Sequence, residues 1–268
     1  MCSKALESLR IPLRSPRHPT QPDEACLIEI MDVPHSKNSA MTRGILSRRI
    51  VDTPIAVIDF ETTGLSPGID RVVEVSVVRV EPGQSPRVVF DTLINPNRPM
   101  AATEIHHIRD ADVKHAPRFA DIAGNLLAAT EDCVIAAYNV YFDIKFLSFE
   151  LAAAGVAHQP PHLCLMYLRP MLGLGAACKL TQACRAHRVD YNSSHVASDD
   201  ALAASRLFET YLGQIRRLGV ATFADLAELR SYKFTDSFSR RPFPGPQAFG
   251  LRPTTSSVVS RAGWRTAD

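Results

Sequence analysis

Pro54-Ile55-Ala56-Val57-Ile58-Asp59-Phe60-Glu61-Thr62-Thr63-Gly64 joins an apolar run to two acids and a turn, and no other stretch constrains the fold as tightly. Its first half is continuously apolar, and a run this short between polar flanks reads as a buried strand. Side chains alternate across a strand, so Asp59 and Glu61 project from one face near its end, where two carboxylates can bracket a cation. Thr62-Thr63-Gly64 then turns the chain away and offers backbone N–H and hydroxyl groups. Alone, an Asp-x-Glu pair is more often just an exposed strand end. Its significance rests on what the rest of the chain supplies.

Outward from this strand, Arg71–Val80 alternates, with Val73, Val75 and Val77 on one side, and Arg87–Ile94 is again rich in strand-forming residues. Ser66-Pro67-Gly68 and Glu81-Pro82-Gly83 are turn chemistry, so the three runs form a meander. Helical spacing follows at Phe119, Ile122, Leu126 and Leu127, then a short strand at Cys133–Ala137 and a helix from Val140 to Ala154 closed by Gly155. Two more helices are predicted near Leu163–Leu172 and Leu180–His187. The last runs from Asp199 to about Ile215, with Ser198 as N-cap and Leu207, Phe208, Tyr211, Leu212 and Ile215 as its inner stripe. A meander joined to alternating helix and strand predicts an α/β fold: a mixed five-stranded sheet flanked by helices, the ribonuclease H-like arrangement.

Two further blocks carry chemistry. In Asn139-Val140-Tyr141-Phe142-Asp143, Asn139 and Asp143 lie i, i+4 at a helix start and share a direction. Capping by Asn139 and a dipole contact by Asp143 would explain the same residues. Phe142 suits stacking on a base or simple packing. The third block sets His195 in a Ser/Asn-rich loop and Asp200 in the first turn of the last helix. A loop histidine suits proton transfer at a site that must also release product. Like charges ~4 Å apart repel by about 4 kcal/mol per pair at an effective dielectric of ~20. Four clustered acids therefore point to divalent metal.

The three blocks, in this order, resemble the DEDDh 3′-5′ exonuclease superfamily, most closely the proofreading epsilon subunit of bacterial DNA polymerase III and its stand-alone relatives. The likeness covers about residues 54–213. It includes Ile105-His106-His107-Ile108, similar to the family's His-Gly-Ile segment, and Asp200 followed by Ala201 five positions after His195. The resemblance implies that Asp59, Glu61, Asp143 and Asp200 hold two Mg²⁺ or Mn²⁺ ions and that His195 is the general base. It further implies that Thr62, Thr63, Gly64, Leu65, His106, Asn139 and Phe142 position the terminal nucleotide. Tyr138 stands where the family usually has His, and Cys164-Leu165-Met166-Tyr167 replaces the more usual Asp-Thr pair; both bear on substrate preference rather than on the ligands.

The implied activity is release of 5′-mononucleotides from DNA 3′ ends, single strands preferred. An exoribonuclease of the same superfamily stays open, as does a non-catalytic adaptor that binds nucleic acid or a polymerase. Residues 1–50 carry 8 Lys/Arg against 5 Asp/Glu and residues 214–268 carry 9 against 4, around a net acidic middle. Basic flanks suit a grip on a polyanion, and serve solubility equally well. Prolines and absent periodicity make 1–50 an irregular extension; 51–218 is the expected exonuclease domain, and 219–268, with Pro242-Phe243-Pro244-Gly245-Pro246, reads as a basic C-terminal extension of tail-like composition. Met31 and Met41 leave room for a shorter start. Within the tail, Gln247-Ala248-Phe249-Gly250-Leu251 faintly resembles a sliding-clamp-binding peptide. The six cysteines show no Cys-x-x-Cys spacing, which speaks against a zinc ribbon or a disulfide framework. With no membrane-length apolar run, the expectation is a soluble cytoplasmic protein whose partners are single-stranded DNA 3′ ends, RNA in the rival reading, and a DNA polymerase or sliding clamp.

Overall fold

The computed structural model describes residues 44–191 and 195–254. Three strands, β1 (Ile55–Thr62), β2 (Val72–Val80) and β3 (Arg87–Leu93), form the meander. Two single-turn helices, α1 (Thr103–His106) and α2 (Asp110–Val113), precede the longer α3 (Phe119–Thr130). The chain then runs through β4 (Val134–Ala137), α4 (Val140–Ala153), β5 (His162–Cys164), α5 (Leu165–Met171), α6 (Leu180–His187), α7 (Ala197–Arg217) and α8 (Phe223–Leu229). The sheet order is β3-β2-β1-β4-β5. β1 is its centre, antiparallel to β2 and parallel to β4. A central strand faces packing on both sides, and accordingly Ile55, Ala56, Val57 and Ile58 are all buried.

Helices α3, α4 and α7 pack against this sheet. Gly155 closes α4 in a left-handed conformation (φ 84°), as its position in the sequence predicts. The fifth strand is only three residues long and begins the segment predicted as one helix, Leu163–Leu172. Three residues carry too little periodicity to declare a strand; pairing with β4 makes it one.

The start of α7 also differs from expectation. Ser198 was the predicted N-cap, but the helix begins at Ala197 after Val196, with no side-chain cap. The Ala197 N–H donates instead to the carboxylate of buried Glu74 on β2, at 3.1 Å. A tertiary acceptor from another element thus replaces the local cap.

The C-terminal flank departs furthest from its composition. Residues 219–254 pack onto the domain: Phe223, Phe234 and Phe238 are fully buried, and Phe243 nearly so. The Phe238 ring meets Phe223 at 5.2 Å and Phe234 at 6.0 Å between centroids. Ser237 Oγ accepts from the His162 N–H at 2.8 Å, which ties the 3₁₀ helix Lys233–Ser239 to β5. Farther along, Asn125 on α3 exchanges hydrogen bonds with the Thr254 backbone, both at 2.9 Å. Phe249 and Leu251, the apolar residues of the clamp-like segment, rest half-buried against the same core. Proline and serine density suggested a tail, but the aromatic residues spaced through it bury apolar area that offsets the ordering of the chain. Replacing Phe238 by Ala is expected to cost about 3–5 kcal/mol. Urea denaturation measures this, and a loss under about 1 kcal/mol would mean the flank is dispensable.

The described cysteines, Cys133, Cys164, Cys178 and Cys184, are free thiols. Among the described residues no helix is long and apolar enough to cross a membrane.

Candidate active site

β4 pairs with β1 only as far as Val57 and ends at Ala137, so the upper end of β1 has no strand on that side. The chain turns there into α4, whose first turn carries Asp143 to the vacated edge. The Phe60 N–H donates to the Asp143 carboxylate at 3.2 Å, in place of the missing ladder bond. On the other side of β1, Glu61 lies in register with Glu74, and a bulge between Glu61 and Thr62 ends regular pairing. Glu74, which receives the Ala197 N–H, thereby sets the first turn of α7 and Asp200 within it beside the strand.

The result is a cleft of about 420 Å³ lined by Asp59, Glu61, Thr62, His106, His195 and Asp200 among others. Ligand atoms of Glu61, His195 and Asp200 all lie within 4.8 Å of one another, close enough to share one metal ion. Asp59 and Asp143 complete an acidic group around them. Part of the Asp59 side chain opens onto the cleft, yet its carboxyl is deep enough that burial is the main force raising its pKa well above the usual carboxylate range; the charges of Asp143, Asp200, Glu61 and Glu74 push the same way. Burial likewise pushes Asp143 up to about 7, against the lowering effect of backbone N–H groups that include that of Phe60. Burial raises Asp200 too, countered by hydrogen bonds from Tyr191 and the His195 amide. Carboxyls this crowded do not all ionise at neutral pH without compensating positive charge. The all-oxygen acids with one imidazole are hard-cation chemistry, and they fit divalent magnesium or manganese.

His195 is exposed at the cleft mouth and adopts a left-handed backbone (φ 64°). Its N–H donates to Asp200 Oδ2 at 3.3 Å, a bond that keeps His195 against α7 despite that conformation. The other Asp200 oxygen accepts from the Tyr191 hydroxyl at 2.5 Å. Sequence reasoning missed Tyr191 and Glu74. Neither belongs to a local motif, and both act on α7 from other parts of the chain. Tyr191→Phe is expected to leave stability within about 1 kcal/mol but to weaken metal affinity or turnover by about 10–100-fold, as loss of a group orienting a ligand does. Metal-titrated activity measures the effect; an unchanged metal dependence would deny Tyr191 that role.

The remaining predicted residues divide. Thr62, Gly64, Leu65, His106 and Phe142 line the cleft, and Leu65 stands 83% exposed at its rim. Thr63 is buried, and its hydroxyl donates to Asp70 at 3.2 Å and accepts from the Arg71 N–H at 3.1 Å, so it builds the turn. A Cβ on Gly64 would lie 2.5–2.7 Å from the Asp70 carboxylate, and glycine is what lets that acid close in. Asn139 is exposed at the start of α4, makes no capping bond and does not line the cleft. His106 Nδ1 accepts from the Ile108 N–H at 3.0 Å, which leaves Nε2–H to donate to the Ala101 carbonyl at 3.1 Å. His106 thus braces the wall that presents Ile105, a cleft residue not singled out from the sequence. His107, where the resembling family has glycine, sits at φ 60°, the left-handed region that glycine enters without penalty.

Residues 56–208 match the model of the exonuclease family RNase_T. The chain belongs to this exonuclease family. An epsilon-like protein of DNA polymerase III from Rhodobacter capsulatus is 33% identical over 199 residues, 68% of this chain and 28% of that one. The epsilon subunit from Treponema pallidum is 31% identical over 161 residues, 58% of this chain and 74% of that one. A PolC-type DNA polymerase III from Thermotoga maritima is 26% identical, and the chain spans only 13% of its length. Escherichia coli exonuclease I, solved with a dT13 oligonucleotide, shares the fold at a TM-score of 0.51 and 18% identity, over 62% of this chain and 42% of that one.

Proposed function

We propose that this chain is a 3′-5′ exonuclease that hydrolyses the terminal phosphodiester of single-stranded DNA and releases 5′-mononucleotides. The observation that carries the reading is the convergence of Glu61, Asp200 and His195 within shared ligand distance, beside buried Asp59 and Asp143 whose ionisation calls for a cation. Asp59, Glu61, Asp143 and Asp200 would hold two Mg²⁺ or Mn²⁺ ions. When bound, such cations supply the charge that lets water lose a proton near neutral pH and that offsets the charge growing on the departing 3′ oxygen. His195, at the solvent-facing mouth, takes the proton from the attacking water and passes it to bulk solvent.

Leu65 and Ile105, both exposed at the cleft, offer apolar contact to the last base, and Phe142 adds an aromatic edge. Contacts of this kind contribute roughly 1–3 kcal/mol per base and do not read sequence. A frayed or single-stranded end reaches the cleft without unpairing, hence the preference for single strands. We place the catalytic unit at residues 51–218, with the described part of the C-terminal flank as its structural cover.

The test is Mg²⁺- or Mn²⁺-dependent release of mononucleotides from matched 3′-labelled DNA and RNA strands, with His195→Ala and Asp59→Ala as controls. Rapid loss of RNA with inert DNA would reassign the substrate. Intact 3′ ends under every condition, with binding retained, would make the chain an adaptor.

A further inference from the structure

We propose that a basic groove beside the cleft, between α4, β5 and the 3₁₀ helix Lys233–Ser239, holds the backbone of single-stranded nucleic acid upstream of the 3′ end; this rests on the nuclease reading for its direction. The groove has a volume of about 580 Å³ and is lined by Lys145, Lys233, Arg240, Tyr141 and Pro67 among others, with no Asp or Glu in its walls. Lys145 comes from α4, whereas Lys233 and Arg240 come from the C-terminal flank. None of the three forms an ion pair among the described residues. Three cations brought to one concavity without acids favour a polyanion, since each one that neutralises a phosphate releases a condensed counterion.

Aromatic surface accompanies the charge. The Tyr141 hydroxyl accepts from the Phe234 N–H at 3.1 Å, which fixes the ring at the groove wall. From it a row of half-buried rings continues: Tyr167 at 5.9 Å from Tyr141, then Tyr232 at 5.2 Å from Tyr167, with the Arg230 guanidinium 4.9 Å from the Tyr232 centroid. Of these rings Tyr141 lines the groove itself, and cations beside an aromatic wall are the combination that binds single strands without reading sequence. Continuity with the cleft favours nucleic acid over an acidic protein. Leu65 lines the cleft and Pro67 the groove; Phe142 lines the cleft and its neighbour Tyr141 the groove. A strand with its end in the cleft therefore passes over residues 65–67 directly into the groove. The flank that supplies Lys233 and Arg240 would thus extend the substrate track as well as complete the core.

The experiment compares the full chain with its Lys145→Ala/Lys233→Ala/Arg240→Ala variant. Binding of an oligothymidylate of about 15 nucleotides is followed by fluorescence anisotropy in EDTA over a range of salt. The variant is expected to bind at least about 10-fold more weakly, and the slope of log affinity against log salt to shrink by about 2, the value for three phosphate contacts on a single strand. Thymidine 5′-monophosphate p-nitrophenyl ester, which occupies only the cleft, should be hydrolysed with Mn²⁺ at the same rate by both proteins. If neither protein hydrolyses the ester, the nuclease reading fails while the binding result still judges the groove. Unchanged oligonucleotide binding, or loss of poly-glutamate binding alone, overturns the proposal. Should the triple variant melt lower, the single exposed change Lys145→Gln decides, with an expected drop in slope of about 0.7.

Discussion

Asp143→Asn is expected to abolish most 3′-end hydrolysis and, at the same time, to make the metal-free protein more stable at pH 8. The two effects share one cause. Asp143 is buried at the open edge of β1, and its carboxyl is pushed up to about 7, whereas an unfolded aspartate titrates near ~3.9. A raised carboxyl pKa means the fold prefers the protonated form. That contribution is fully present below about pH 4 and is lost as pH rises through about 7. Metal-free protein should therefore weaken from mildly acidic to alkaline pH, and Asn, uncharged throughout and still able to accept the Phe60 N–H, should escape the loss.

The expected gain at pH 8 is on the order of 2 kcal/mol, or about 4–8 °C in melting temperature. Saturating Mg²⁺ or Mn²⁺ should raise the unsubstituted protein by about 3 kcal/mol at 100-fold excess over the dissociation constant and the variant by less. Removing one pre-set electrostatic element from an active site costs about 10²–10³ in kcat. Differential scanning calorimetry at pH 5 and 8, with and without metal, reads the whole pattern. A variant that melts lower than the unsubstituted chain at pH 8 without metal would contradict it.

Glu150→Ala should damage the fold and the Thr62–Gly64 turn together. Glu150, almost wholly buried on α4, takes two bonds from the Arg71 guanidinium, at 2.8 and 2.6 Å, and a third from the Val72 N–H at 3.3 Å. Arg71 in turn holds the Thr62–Gly64 turn: its carbonyl accepts from the Thr63 N–H at 2.9 Å and its N–H donates to the Thr63 hydroxyl. Only the Glu150 side of the pair is buried; the Arg71 guanidinium left behind is about a third exposed and partly screened by solvent, so the expected cost is about 2–3 kcal/mol. The expected fall in melting temperature is roughly 4–12 °C. Because the Thr62–Gly64 turn loses its brace, KM for oligonucleotides should rise in whatever fraction stays folded. Glu150→Gln, which keeps the size and one acceptor, should recover part of both. A melting temperature within about 2 °C of the parent would show that the pair is not holding the turn.

The legible and illegible parts of this chain differ in the range of the interactions that made them. β1, β2 and β3, helix α3, helix α4 with its Gly155 stop and helix α6 follow from patterns contained within each segment. β5 does not, because three residues become a strand only through pairing with β4. Nor does the first turn of α7, where Glu74, far away on β2, supplies the acceptor that a local Ser198 was expected to provide. The C-terminal flank reads as a tail because loop-forming residues dominate its count, while Phe234, Phe238 and Phe243 are too irregularly spaced to announce a buried face. In the site, acids within motifs were found and braces outside them were missed. Tyr191 and Glu74 carry no motif, and Thr63 and Asn139 share a motif with cleft residues yet take other positions.

By itself the sequence determined the order and type of the main elements and the five groups on which hydrolysis would depend, since alternation, helical spacing and an acid pair on a strand are written in adjacent residues. Only the tertiary structure decided how those groups are held: Asp143 by an unpaired strand edge, Asp200 by Tyr191, and the first turn of α7 by Glu74. It also decided that the described part of the C-terminal flank lies on the domain and brings Lys233 and Arg240 to a groove with Lys145. Burial and hydrogen bonding between distant segments depend on which surfaces meet, and that follows from the packing of the whole chain rather than from any stretch of it.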